Sequence, residues 1–465
     1  MTLPGQHSAT IPITSERPAS AGPSRLVFAG LAIGNFLVLL DTSILNVALP
    51  DVQRDLQASA TALPWTVVAY TITFSGLLLA AGALSDRFGA KRVYRRALLA
   101  FGLLSLGCAA VPTVELLIAA RVLLGAAAAF MVPASIALLA SMFPDPAARA
   151  RAIGTWAAVT SSGLLFGPVL GGLLVTASGW RLVFLVNPPI ALVALLLSRR
   201  ASAVTASAVR PLDIPGIGLS IVMLTALTFG LIQGGTHGWS QPVAWIALTV
   251  AAVAAAILVA VERRVSHPVL PAALVARRDI TASIAAAAVA TLVFYGVLYT
   301  LTLWLQRELE LTPLQTGLSF VPMTLPMCIL PVFAGRLVAR YGAPRVILVG
   351  LALDVVAGAL LFGATSTGGA LGWIIGAEIA LVLASTTVIP AATAHVAMQA
   401  RGEIAGVAQG ALNAGRQAGS ALGVAVLGPL AGLSQVGAVL CAFSVAAIAG
   451  VAAAFRTQRR ATSGA

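Results

Sequence analysis

The sequence predicts an all-α polytopic membrane protein, and three observations carry that prediction. Of its 465 residues, 59% are hydrophobic and only 9% charged, with a mean hydropathy of +0.98, whereas a soluble domain carries roughly 25% charged residues. Apolar runs of about 20 residues, the length that crosses ~30 Å of hydrocarbon as a helix, recur along the whole chain. The abundance of Gly and Pro, 44 and 25 residues, suits closely packed and kinked helices. A membrane β-barrel would instead alternate polar and apolar residues over ~10-residue strands.

Taken in order, the runs fall near 25–49, 62–84, 93–112, 115–141, 150–176, 181–198, 213–233, 242–261, 280–306, 314–336, 345–363, 368–395, 402–428 and 431–455, which makes fourteen spans. Residues 1–24 are rich in Pro, Ser, Thr and Gly and lack a charged segment leading into an apolar one, so they read as a disordered cytoplasmic tail and not as a cleaved leader. Residues 456–465 read as a second cytoplasmic tail. With both termini inside, 23 of the 28 Lys and Arg fall in inner loops or tails, three (Arg54, Arg181, Arg307) lie outside, and Arg121 and Arg416 fall within spans. That asymmetry orients the chain in a cell (inner) membrane. It also accounts for the net charge of +13 without nucleic acid, because the basic residues sit in short clusters between apolar runs. Cys108, Cys328 and Cys441 lie inside apolar runs with no paired spacing. They imply neither a disulfide nor a metal.

An internal repeat organises the spans. Residues 82–93, GALSDRFGAKRV, match residues 335–346, GRLVARYGAPRV, at seven of twelve positions. The fifth and thirteenth spans correspond in the same way through Arg149 and Arg401, Gly154 and Gly406, Gly163 and Gly415, Gly167 and Gly419, and Gly171 and Gly423. The expected architecture is an N-terminal six-helix bundle, 25–198, and a parallel C-terminal six-helix bundle, 280–455, with two inserted helices at 213–261. In transporters built from parallel repeats the substrate site lies at mid-membrane between the halves.

Ionisable residues inside spans are the first candidates for function, since each costs at least ~2.5–3.5 kcal/mol to bury in the bilayer. Asp41 stands nine residues before Pro50 and Arg121 eight after Thr113, which at 1.5 Å per residue puts both about 12–13 Å below the outer end of their helices. At matching depth they are expected to pair. A carboxyl held between an apolar wall and a cation changes its proton affinity with small movements, so the pair reads as a proton-coupling element, with a static ion pair as the alternative. Glu378, Asp354, Arg416 and Gln417 are also deep and are candidates for coupling or substrate contact. Trp65, Tyr70, Trp156, Phe166, Tyr295, Tyr299 and Trp304 could line an apolar cavity, where aromatic rings offer surface and attract cations. Gly163, Gly167, Gly171 and Gly172 repeat at small-xxx-small spacing, and Pro168 removes a backbone donor and bends the helix.

These residues resemble the major facilitator superfamily, and within it the fourteen-helix drug:proton antiporter branch. Gly82, Asp86, Arg87, Gly89, Lys91 and Arg92 look like the family's loop signature between helices 2 and 3. The resemblance implies that they act as a conformational gate, tying helix 2 to its neighbours on the cytoplasmic side when the carrier faces outward. Gly163, Gly167, Pro168, Gly171 and Gly172 match the helix-5 antiporter signature. Residues 40–50 resemble the branch's helix-1 signature, Trp180, Arg181, Phe184, Asn187 and Pro188 its helix-6 segment, and Arg121 with Gly125 its helix-4 motif, with Leu124 where a polar residue is usual. The expected function is proton-coupled efflux of hydrophobic drug-like or antibiotic-like molecules by rocking of two bundles, in a monomer that uses protons, a small-molecule substrate and the lipid bilayer but no cofactor. No GxxxxGK[ST] loop is present, which argues against ATP as the power source. Export of one dedicated metabolite is the nearest alternative. A membrane sensor or scaffold stands further off, as does an embedded enzyme, since no outer loop clusters His, Ser and acids.

Overall fold

The computed structural model of the protein describes residues 24–143, 145–201, 213–264, 272–366, 371–400, 404–430 and 432–463. Nearly all of residues 1–24, the loop arginines Arg17, Arg210 and Arg401, and the end of the second tail at 464–465 lie outside them. The described chain is helical: α1 Arg25–Asp55, α2 Trp65–Phe88, α3 Ala90–Ala110, α4 Val114–Met142, α5 Pro146–Ser178, α6 Leu182–Leu185, α7 Asn187–Ser198, α8 Ile214–His237, α9 Pro242–Glu262, α10 Ala272–Val275, α11 Arg278–Arg307, α12 Pro313–Ser319, α13 Val321–Thr324, α14 Pro331–Tyr341, α15 Ala343–Ser366, α16 Leu371–Gln399, α17 Ile404–Leu427 and α18 Leu433–Ser463. A 3₁₀ turn, Leu325–Cys328, links α13 to α14.

Local chemistry sets the helix ends. Asp145 accepts from the Ala148 N–H at 2.7 Å, ahead of a proline in the first turn of α5, and Asp213 accepts from the Gly216 N–H at 2.9 Å to start α8. Side chains at these positions satisfy N–H groups that have no partner within the helix. Thr312 and Gln315 close a reciprocal capping box on α12. The α2–α3 and α14–α15 turns each run through one glycine at positive φ, Gly89 at +87° and Gly342 at +79°. Residues with a Cβ avoid that region, so the two turns require glycine.

The helices pack in two corresponding sets. In the first, α1 lies on α5 and α7, α2 on α4, and α3 on α4 and α7; in the second, α11 lies on α17 and α18, α14 on α16, and α15 on α16 and α18. The Ser43 hydroxyl donates to Gly163 O at 3.2 Å across the α1–α5 seam, and Thr291 repeats this toward Arg416 O at 2.8 Å across α11–α17. The apolar core of α1–α7 takes in Tyr299 and Leu303 of α11 and Ala421 and Val424 of α17. The second set holds two cores, one around Leu298, Leu381 and Leu440 and one around Ile347, Val388 and Leu412. Helices α8 and α9 pair with each other, and α8 alone of the two reaches α2 and α17, placing Ile221 on Gly76 and Gly235 on Pro429.

Some expected spans look different in three dimensions. Among the described helices, ten are long and apolar enough to cross a membrane, or eleven with the bent α2 counted as one span. The run at 181–198 divides at Val186 into α6 and α7, just before two prolines, and the run at 314–336 breaks into α12, α13, a 3₁₀ turn and α14, because Pro322, Pro326 and Pro331 lack the N–H groups that a continuous ladder needs. Helix α17 carries Gln409, Asn413, Arg416 and Gln417, half-buried or exposed. A helix that lines a protein interior need not look like one that faces lipid on all sides. Helix α18 continues to Ser463, past the end of the apolar run at 455.

Candidate functional site

One buried polar cluster joins five helices. Asp41 on α1 and Arg121 on α4 are 0% and 1% exposed and form a direct ion pair through Asp41 Oδ2 and Arg121 Nη1. Arg121 Nε also donates to Thr66 O of α2 at 2.8 Å, and its guanidinium lies over the Tyr70 ring, 4.3 Å from the centroid. Asn187, first residue of α7, donates from Nδ2 to Asp41 Oδ1 at 3.2 Å and to Ser105 Oγ of α3 at 3.0 Å. Both carboxylate oxygens thus receive a donor, an arrangement suited to the ionised form.

The pair expected from depth alone is therefore present, and its surroundings add what depth could not give. Thr66 supplies a backbone carbonyl, and Ser105 is one of many spaced polar residues in the sequence; nothing in the linear pattern singles out either. Tyr70, a candidate for lining an apolar cavity, lies with its ring against Arg121 and donates to Val38 O at 3.4 Å.

The glycines of α5 form a close seam. A Cβ at Gly163 would come within 2.7 Å of Leu40 N and Phe36 O, and one at Gly171 within 2.7 Å of Ile44 O. Gly167 faces Ser43, while Gly172 faces Pro313 and Leu314 of α12, and Gly317 of α12 faces the backbone of Pro168 and Val169. At this end of the molecule Gln306 Nε2 donates to Val47 O at 3.0 Å, and Arg307 bonds to the Gln53 side chain. Arg181 pairs with Asp55, which also accepts from Trp180 Nε1 at 2.9 Å. The α1–α11 and α5–α12 contacts join the two sets of helices at this end.

At the other end, Asp86, Arg87 and Arg92 are exposed, and Lys91 and Gly82 half-buried. No salt bridge joins Asp86 to another described residue. The remaining candidates are dispersed. Trp65 packs on Phe229 of α8, Trp156 is buried, Tyr295 meets Phe294 edge-on, and Tyr299 is buried beside Gly428. Phe166 is exposed beside Phe36. Arg416 and Gln417 are half-buried on α17. Asp354 and Glu378 are fully enclosed, and among the described residues neither has a hydrogen-bond partner.

One sequence expectation is corrected. The place of His395 at the end of the expected span 368–395 reads as a surface position, yet the residue is 5% exposed and stands 3.4 Å from Asp279 Oδ2, edge-on to Phe455. Asp279 is held by two bonds from Arg277, at 2.9 and 3.1 Å. Position near a span's end does not expose a side chain when a neighbouring helix, here α18, covers it.

Comparison with known proteins follows the same lines. The family model described as Major Facilitator Superfamily matches residues 31–292, 214–424 and 283–465. A methylenomycin A resistance protein of Streptomyces coelicolor is 36% identical over 427 residues, covering 91% of this chain and 88% of its own. A multidrug resistance protein Stp of Mycobacterium tuberculosis is 36% identical over 87% of this chain and 75% of its own. A puromycin resistance protein of Streptomyces alboniger is 36% identical over 89% of this chain and 83% of its own. A crystal structure of the peptide transporter POT in complex with sulfate matches with a TM-score of 0.69 and 16% identity, over 93% of this chain and 94% of that one. At that identity the likeness concerns the fold.

Proposed function

Because the chain belongs to the Major Facilitator Superfamily, we propose that it is a proton-coupled efflux antiporter for hydrophobic antibiotic-like molecules, working by alternating access between two six-helix bundles. The observation that carries this reading is the buried Asp41–Arg121 pair. Removing a carboxyl from water costs several kcal/mol even after relaxation, and a partner cation offsets this only while the geometry holds. Rocking that separates Asp41 from Arg121 makes the protonated acid the cheaper form. Restoring the contact expels the proton. One proton moving inward is worth ~2.3 kcal/mol per 100 mV, enough for a substrate gradient of more than tenfold.

In this reading the broken and polar segments complete fourteen spans with both termini in the cytoplasm of a monomer in the cell membrane, and the end closed by α1–α11 and α5–α12 is the outer one. The unpaired Asp86 then belongs to a carrier whose cytoplasmic latch of Gly82, Asp86, Arg87, Gly89, Lys91 and Arg92 is released. Relatives named for resistance to methylenomycin A, puromycin and multiple drugs support an antibiotic-like substrate. Those named for a single antibiotic also favour the narrower reading, export of one dedicated metabolite. Purified protein in vesicles with an imposed pH gradient, offered a panel of cationic, neutral and anionic compounds, tests both. Uptake of several unrelated hydrophobic compounds supports multidrug export, uptake of one supports the dedicated reading, and gradient-independent behaviour toward every compound contradicts proton coupling.

A further inference from the structure

Helices α4 and α16 are counterparts in detail. Each has 29 residues, each has an internal proline as its twentieth residue (Pro133 and Pro390), and each packs on the corresponding neighbours: α1, α2, α3 and α5 for α4, and α11, α14, α15 and α17 for α16. Arg121 is the eighth residue of α4, and the eighth of α16 is Glu378. The two positions share depth and burial, each with a relative exposure of 1%. Their chemistry is opposite. Arg121 has a carboxylate, a carbonyl and an aromatic face around it, whereas neither Oε1 nor Oε2 of Glu378 has a hydrogen-bond partner among the described residues.

The titratable groups on the helices packed against α16 do not neutralise it. On α11, Asp279 is committed to Arg277, and Tyr295 and Tyr299 make no hydrogen bond to Glu378. Asp354 on α15 is itself unpartnered and acidic. Arg345 of α15, Arg278 and Arg307 of α11, Arg336 and Arg340 of α14, and Arg416 of α17 form no salt bridge with it. A carboxylate without donors or counter-ion cannot remain charged in so enclosed a place, whereas the neutral acid can.

We propose that Glu378 is a second proton-carrying carboxyl of the transport cycle, seated in the C-terminal bundle where the N-terminal bundle holds Arg121, and loaded with an occluded proton while Asp41 is ionised. The proposal rests on the proton-coupled reading above. In the cycle, Glu378 takes a proton from water when its surroundings open outward and returns it to water when they open to the cytoplasm, with no other bond made or broken. Two carboxyls in opposite proton states within one conformation make two protons per turnover.

The test has two arms. In vesicles held at zero membrane potential, one unit of pH gradient sustains about a 100-fold substrate gradient when two protons are coupled and about tenfold when one is. Glu378→Gln, which mimics the protonated acid in shape, is expected to lower the limit from the first value to the second, and Asp354→Asn to leave it unchanged. An unchanged limit in Glu378→Gln, or a fall in Asp354→Asn alone, overturns the proposal. The second arm is infrared spectroscopy of the purified protein at neutral pH, which needs no transport. The difference between wild type and Glu378→Gln should be a protonated-carboxyl band; loss of a carboxylate band in Glu378→Gln instead overturns the assignment. Wild-type protein that ignores the pH gradient rejects the antiport reading itself, while the infrared arm still reports the state of Glu378.

Discussion

Arg121 and Asp41 are each tolerable in the bilayer because of the other. Removing the cation alone leaves an uncompensated buried acid, which costs about 3–5 kcal/mol. Arg121→Met is therefore expected to destabilise the protein by that amount, and Arg121→Met with Asp41→Asn to recover most of it. Thermal unfolding in detergent across the double-mutant cycle measures the coupling, and additive losses would mean that the two residues act separately. The pair was legible in the sequence because two lone charges at equal depth have few other solutions. Asn187 was visible only as part of a motif. Its bond to Asp41 depends on the break between α6 and α7, which turns the start of α7 toward α1, and no periodicity encodes that turn. The burial of His395 escapes the sequence for the related reason that its cover is Phe455, sixty residues further along the chain.

Helix α5 shows how small residues set an element's reach. Its glycine face lies against α1 and then, at Gly172, against α12, so a larger side chain must push helices apart. Overpacking in a fitted core costs about 1–3 kcal/mol. Gly171→Leu is accordingly expected to lose at least that much stability and to open a path for ions. Vesicles carrying it should dissipate a pH gradient without substrate, and a tight vesicle with a wild-type melting profile would refute the seal. The small-xxx-small spacing disclosed this face in the sequence, but its partners could not be read, since spacing gives a surface and not what covers it. The same limit applies to α12–α14, where prolines announced a break without fixing its shape.

At the scale of the whole molecule, the repeat legible at 82–93 and 335–346 reappears as two glycine turns at positive φ and as matched helix pairings. The inserted helices were legible only as an interruption of that repeat. In three dimensions α8 touches both α2 and α17, one helix from each set. Alternating access requires α1 and α11 to separate where Gln53 meets Arg307 and Val47 meets Gln306. Cysteines placed at 53 and 307, in protein whose native cysteines are replaced, should stop transport when joined by a short cross-linker and allow it again when the link is cleaved. Full transport by the cross-linked protein would show that this end stays shut throughout. The most direct measurement of all concerns the carboxyl at the centre of the first bundle. Asp41→Asn, reconstituted in vesicles at zero membrane potential, is expected to bind substrate but to concentrate it only about tenfold per unit of imposed pH difference, against about 100-fold for the wild type; accumulation at the wild-type level by that variant would contradict proton exchange at Asp41.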